Sequence, residues 1–115
     1  MSRSTLRAVI LVTGLITALV HLVLLSVQFG EPILLFILNG LGYLVLLAAF
    51  WTRPSFLADR RGLVDYAFMA YAAVTFLAWI PDGSRDVTAY LTKVNEVILI
   101  AALWAHRKAP AQALE

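Results

Sequence analysis

Hydrophobic and polar positions alternate along this chain in long blocks rather than in short periods. No charged residue occurs from Ala8 to Gly30, and none from Pro32 to Thr52. A third apolar block follows Asp65 and closes at Trp79 and Pro81. A fourth begins at Val87 and ends at Ala105, interrupted by Lys93 and Glu96. A helix rising 1.5 Å per residue needs roughly 20 apolar residues to cross a hydrocarbon core about 30 Å thick. The blocks therefore predict four transmembrane helices, at about 8–28, 32–52, 63–80 and 87–105, within one domain over 1–108. The first block is too long for the apolar region of a signal peptide and lacks a small-residue cleavage site after His21.

The punctuation between blocks supports these boundaries. Glu31-Pro32 suits a helix start, because proline is tolerated at the first position and a carboxylate faces the positive end of the dipole. Arg53-Pro54 is a stop, and Asp65 suits a first turn. Ser84 or Asp86 can cap the fourth helix. His106, Arg107 and Lys108 are read as cations beyond its C-terminus. The third span is short and can extend into the polar segment before it. Trp51, Trp79 and Trp104 fit the membrane interfaces. The tail 109–115 is expected to be disordered, with Leu114 and Glu115 read as a scar appended for expression.

Composition agrees. Hydrophobic residues make up 62% of the 115 positions and charged residues 14%, against about 45–50% and about 25% in soluble domains. The net charge of +2 forms no basic stripe, so nucleic acid is not an expected partner. Cysteine is absent, which excludes disulfides, thiolate catalysis and cysteine-ligated metals. The cations divide unevenly. Arg3 and Arg7, then Arg53, Arg60 and Arg61, then Arg107 and Lys108 fall on one side of four spans, and Arg85 alone on the other. The positive-inside rule puts both termini in the cytoplasm. The fold class is thus all-α: an up-and-down four-helix transmembrane bundle in the cell's inner (plasma) membrane.

Ionisable groups inside a span cost about 2.5–3.5 kcal/mol at the helix centre and are the first place to look for chemistry. Lys93 and Glu96 lie one turn apart in span four. The stripe Asp86, Tyr90, Lys93, Val97, Ile100 and Trp104, with Glu96 at its edge, is expected to face the bundle interior. His21, Asn39 and Thr75 fall at a similar depth in the outer half, with Thr17, Tyr43 and Tyr71 a little deeper. Gly40 and Gly42 let span two approach a neighbour closely. Two readings follow. Lys93, Glu96, His21, Asn39, Tyr43, Tyr71 and Tyr90 form a site open to the outer face, with Asp82 and Asp86 at its mouth, that binds or transports a small molecule or ion, with Glu96 and His21 exchanging protons. Alternatively these groups only fix which helix packs on which, Lys93 pairing with Glu96 or reaching outward to Asp86, and the chain serves as a structural or assembly subunit. Thr17 and Thr75 are expected to bond their own helix backbone.

No reactive constellation marks an enzyme, and no cofactor is expected. His21 and His106 lie toward opposite ends, so one haem cannot join them. Asp82 and Asp86 are read as solvated carboxylates rather than metal ligands, and Ser26 as packing. Small residues such as Ala48, Ala72 and Ala101 would permit contacts in a homo-oligomer or a larger membrane complex.

Two segments, Leu35-Phe36-Ile37-Leu38-Asn39-Gly40-Leu41-Gly42-Tyr43-Leu44 and Tyr90-Leu91-Thr92-Lys93-Val94-Asn95-Glu96, carry a resemblance. The chain resembles a family of small four-helix prokaryotic membrane proteins of unassigned function. The resemblance implies the topology and no functional residues. Small multidrug-resistance transporters are similar in size only, since their first helix carries a buried glutamate, whereas this one has His21 and no carboxylate.

Overall fold

The first helix starts where Ser2 can cap it. The Ser2 hydroxyl accepts from the Thr5 amide at 3.1 Å, satisfying one of the donors that a helix start leaves open. The computed structural model describes residues 2–30, 33–52, 55–83 and 85–108, with the backbone alone for Gln28, Leu57, Ala58, Arg61 and Asp82. Helix α1 (Arg3–Leu19) continues through a π-helical turn (Val20–Leu24) into α2 (Leu25–Phe29). Gly30, at φ 74°, ends the rod in the left-handed conformation that glycine adopts without strain. The second rod is α3 (Leu34–Thr52), and a 3-10 helix (Ser55–Arg60) leads into α4 (Arg61–Asp82). The last rod is α5 (Val87–Lys108). Among the described residues, four helical stretches are thus long and apolar enough to cross a membrane.

The boundaries depart from the sequence expectation in three places. The third helix extends into the polar segment before it, starting at Arg61, and runs through Pro81 rather than stopping before it. Proline removes the amide that would bond the Leu77 carbonyl, and Arg85 binds other carbonyls at this helix end. Its guanidinium donates to the carbonyls of Trp79 and Gly83 at 3.3 and 3.1 Å, and closely to that of Ile80, while lying 4.0 Å over the Trp79 ring. The fourth helix extends to Lys108, so His106 is part of it. The first helix begins at Arg3, well before Ala8. Asp86 caps α5 as expected, accepting from the Ala89 amide at 2.8 Å. The start at Glu31-Pro32, the stop at Arg53-Pro54, Ser84 as a cap and the tail 109–115 lie outside the described residues, as does the side chain of Asp82.

The rod α1–α2 packs against α3 and α5, and α4 packs against the same two helices. The core is Leu6, Ile10 and Ala18 from α1, Tyr43, Leu47 and Phe50 from α3, Phe68 and Ala72 from α4, and Leu99, Ala102 and Leu103 from α5. Most of these positions are three, four or eight residues apart, the spacing of one helix face, with Ala102 beside Leu103 widening the face of α5. Large apolar residues also cover the outside: Leu19, Val27, Leu35, Val45, Val74 and Leu91 are all more than half exposed. A water-soluble bundle would place polar residues there.

The glycines of α3 set its approach to two neighbours. A Cβ on Gly40 would lie 2.7 Å from Leu22 Cγ and 2.9 Å from the Ala18 carbonyl oxygen. A Cβ on Gly42 would fall on the Tyr71 hydroxyl, which donates to the Asn39 carbonyl at 2.8 Å. The close approach expected of Gly40 and Gly42 is therefore present, toward two helices at once.

Candidate functional site

The buried polar groups form two layers. The central one is built on Glu96, whose side chain is fully buried. Its Oε1 accepts from Lys93 Nζ at 2.8 Å, and its Oε2 accepts from the Thr17 hydroxyl of α1 at 3.2 Å. Lys93 is itself nearly buried, and its ammonium lies 5.8 and 5.9 Å from the Phe76 and Trp79 ring centres of α4. One α5 ion pair therefore touches two neighbouring helices. A charge pair in a dry interior costs little only when both members stay paired and hydrogen-bonded, and here they do.

His21 joins this layer through the π-helical turn. The wider turn arises where a group inserts into the helical hydrogen-bond ladder, and the His21 Nδ1 sits 2.8 Å from the Thr17 carbonyl. Nδ1 is therefore the protonated nitrogen of the neutral ring. The imidazole packs 5.9 Å from the Tyr43 ring and 6.2 Å from Phe36. Across the layer, Asn39 Nδ2 donates to the Thr75 hydroxyl at 3.1 Å. The Tyr43 hydroxyl lies beside Thr17 and Thr75 and within electrostatic reach of Glu96. Among the described residues, three buried side-chain atoms make no hydrogen bond: the Tyr43 hydroxyl and the Asn39 carbonyl oxygen in this layer, and the Ser26 hydroxyl on α2.

The second layer lies at the end where α1 starts and α5 finishes. His106 Nδ1 is 2.9 Å from Asp65 Oδ2, and both side chains are buried. Arg3 Nε donates to His106 Nε2 at 3.3 Å. The Phe50 ring of α3 closes the site at 4.9 Å from the imidazole. Nearby, Arg7 donates to the Trp51 carbonyl at 2.9 Å and stacks over Phe50 and Trp51. Between the layers stand Ile10, Phe68, Leu99 and Leu103, all fully buried. This apolar plug separates the two sets of titratable groups.

The structure brings together Lys93, Glu96, His21, Asn39, Tyr43 and Tyr71, with Thr17 and Thr75. It turns the α5 face relative to the expected stripe. The buried positions are Ala89, Thr92, Lys93, Glu96, Leu99, Ala102, Leu103 and His106, whereas Tyr90, Val97 and Trp104 are about half exposed. Glu96 sits at the centre of the face rather than its edge, because Thr17 and the Asp65–His106 pair draw that side inward. Tyr90 meets Trp79 edge-on at 5.6 Å instead of approaching Glu96. Lys93 pairs with Glu96, and Asp86 serves as the cap. Thr17 and Thr75 bond other helices, while Thr13, Thr52 and Thr92 bond their own helix backbone. The Asp65–His106–Arg3 layer was not foreseen. Its signal was present in the spacing, since Asp65 shares a helix face with Phe68, Ala72 and Thr75, and His106 with Glu96, Leu99 and Leu103.

Among the described residues, no group of three or more potential metal ligands gathers. Comparison of the chain with family models, with curated proteins and with solved structures finds no match.

Proposed function

We propose that this chain is a multi-pass protein of the inner (plasma) membrane, an up-and-down four-helix bundle with both termini cytoplasmic. In this orientation the central layer lies toward the outer half. It binds or transports a small polar molecule or ion, with proton exchange at the Lys93–Glu96 pair. The observation that carries this reading is the pair of buried, unpartnered groups, Tyr43 Oη and Asn39 Oδ1, beside an ion pair. Packing alone would favour partners for every buried polar atom, and exceptions gather where water, an ion or a ligand belongs. The likeness to small four-helix prokaryotic membrane proteins fits the same topology.

The structural alternative has one observation in its favour. Both Glu96 oxygens already hold partners within the protein, as in an interhelical clamp. On that reading the chain is a subunit of a homo-oligomer or a larger membrane complex. A stability screen of the purified protein with small carboxylates, amines and inorganic ions separates the two. A ligand at about 100 times its Kd stabilises a protein by about 2.7 kcal/mol. The binding reading expects a stabilising compound whose effect is lost in Tyr43→Phe while the variant stays folded. No stabilisation by any class favours the clamp.

Orientation is tested separately. The chain has no cysteine, so single cysteines report cleanly. Val87→Cys is expected to react with an impermeant maleimide in intact cells and Ser55→Cys to remain protected. The reverse pattern overturns the orientation.

A further inference from the structure

The hydrogen bonds of the end layer hold only for one protonation state of its histidine. Nε2 of His106 accepts from Arg3 Nε, so it carries no proton, and Nδ1 is left to donate to Asp65. A second proton would turn Nε2 into a donor facing a donor and set two positive charges 3.3 Å apart. Asp65 would keep its bond to Nδ1, because that nitrogen donates in either state. The proton therefore acts selectively on the contact with Arg3.

Among the described residues, the other charged or titratable groups on the surrounding elements are engaged elsewhere or exposed. On α1, Arg7 is turned to the Trp51 carbonyl. On α3, Phe50 and Trp51 carry no charge. On α4, Tyr66 lies under Arg107 at 5.2 Å. On α5 itself, Arg107 and Lys108 are exposed, Lys108 lying over Trp104 at 5.3 Å. Asp59 and Arg60 on the 3-10 helix are exposed.

We propose that Arg3, His106 and Asp65 form a pH-sensitive clasp, which holds the first turn of α1 on α5 while His106 is neutral and releases it when His106 takes up a proton. Proton uptake by this imidazole would make the clasp answer to the acidity of the compartment that this end faces. Release would loosen the N-terminal turn of the helix that carries Thr17 and His21. The clasp does not depend on what the central layer binds.

The test uses the full chain in lipid nanodiscs with one nitroxide at Ser4→Cys, an exposed position in the first turn. Spin-label mobility is recorded between about pH 8 and 5, across the imidazole range. The expected result is a rise in the mobile-to-fixed ratio on acidification of at least about fivefold, the lower end of ordinary coupling between two sites. His106→Gln should abolish the pH response. Arg3→Ala should give a mobile label at every pH. An unchanged ratio in the parent protein overturns the proposal. So does a pH response of equal size in His106→Gln, or in Arg3→Ala if the histidine variant fails to fold.

Discussion

The two polar layers use similar residues and differ in what holds them. In the central layer a lysine and a glutamate one turn apart on α5 neutralise each other, and the other helices add neutral donors or rings. In the end layer the members come from α1, α4 and α5, and a neutral imidazole mediates between an aspartate and an arginine. The first is a local ion pair sealed by packing; the second is a junction between helices. A sealed pair resists removal of either member, because the survivor is left as a buried unpaired charge. A junction loses hydrogen bonds one at a time and opens toward its exposed rim. The fully buried Ile10, Phe68, Leu99 and Leu103 keep the two apart.

That contrast can be broken by substitution. Lys93→Ala should have the largest effect, a loss of about 3–5 kcal/mol, because Glu96 keeps its burial and loses its cation. Reversible unfolding in mixed micelles would measure it, and a loss under about 1 kcal/mol would mean that the pair is not sealed. Next comes Gly40→Ala, which tests the frame that both layers share. The added methyl meets the Ala18 carbonyl oxygen at 2.9 Å, so α3 must move off α1, at a cost of about 1–3 kcal/mol. A wild-type melting temperature would show that the contact yields freely.

Asp65→Ala probes the junction and should cost about 1–3 kcal/mol, the usual penalty for leaving one buried polar partner unsatisfied. A loss as large as that for Lys93→Ala would erase the distinction between the layers. Tyr90→Phe should do least. Its ring stays against Trp79 and the side chain is half exposed, so a change within about 0.5 kcal/mol is expected. A larger loss, or altered ligand response, would return Tyr90 to the site.

The long apolar helices were more legible in the sequence than the polar layers. Charge-free runs of about twenty residues fix the existence of a membrane-length helix, since little else tolerates them. Helix ends were less legible, because they depend on side chains from across a turn. Pro81 stands in the last turn of α4, where its missing amide costs a single bond, and Arg85 four residues on binds carbonyls of that turn. Most members of the central layer were readable as polar residues at matched depth, and Lys93–Glu96 as a helical pair. The phase of α5 was not. A stripe begun at Tyr90 and one begun at Ala89 differ by a single residue, and the choice is made by Thr17 and Asp65 on other helices. The same uncertainty hid His106, which reads as a terminal cation until Asp65, 41 positions away, is placed beside it. The π-helical turn at His21 was not read either, although the imidazole and the Thr17 carbonyl that it meets lie one turn apart in the sequence.

The central claim is that Glu96 belongs to a working site. Infrared difference spectroscopy of the purified protein against Glu96→Gln, recorded over pH and with added small carboxylates, amines and ions, tests it most directly. The account predicts a carboxyl signal that titrates, moves when a ligand is added, and is missing from the variant. A Glu96 that stays ionised at every accessible pH and ignores all ligands would contradict it, and would identify the Lys93–Glu96 pair as a fixed clamp between helices.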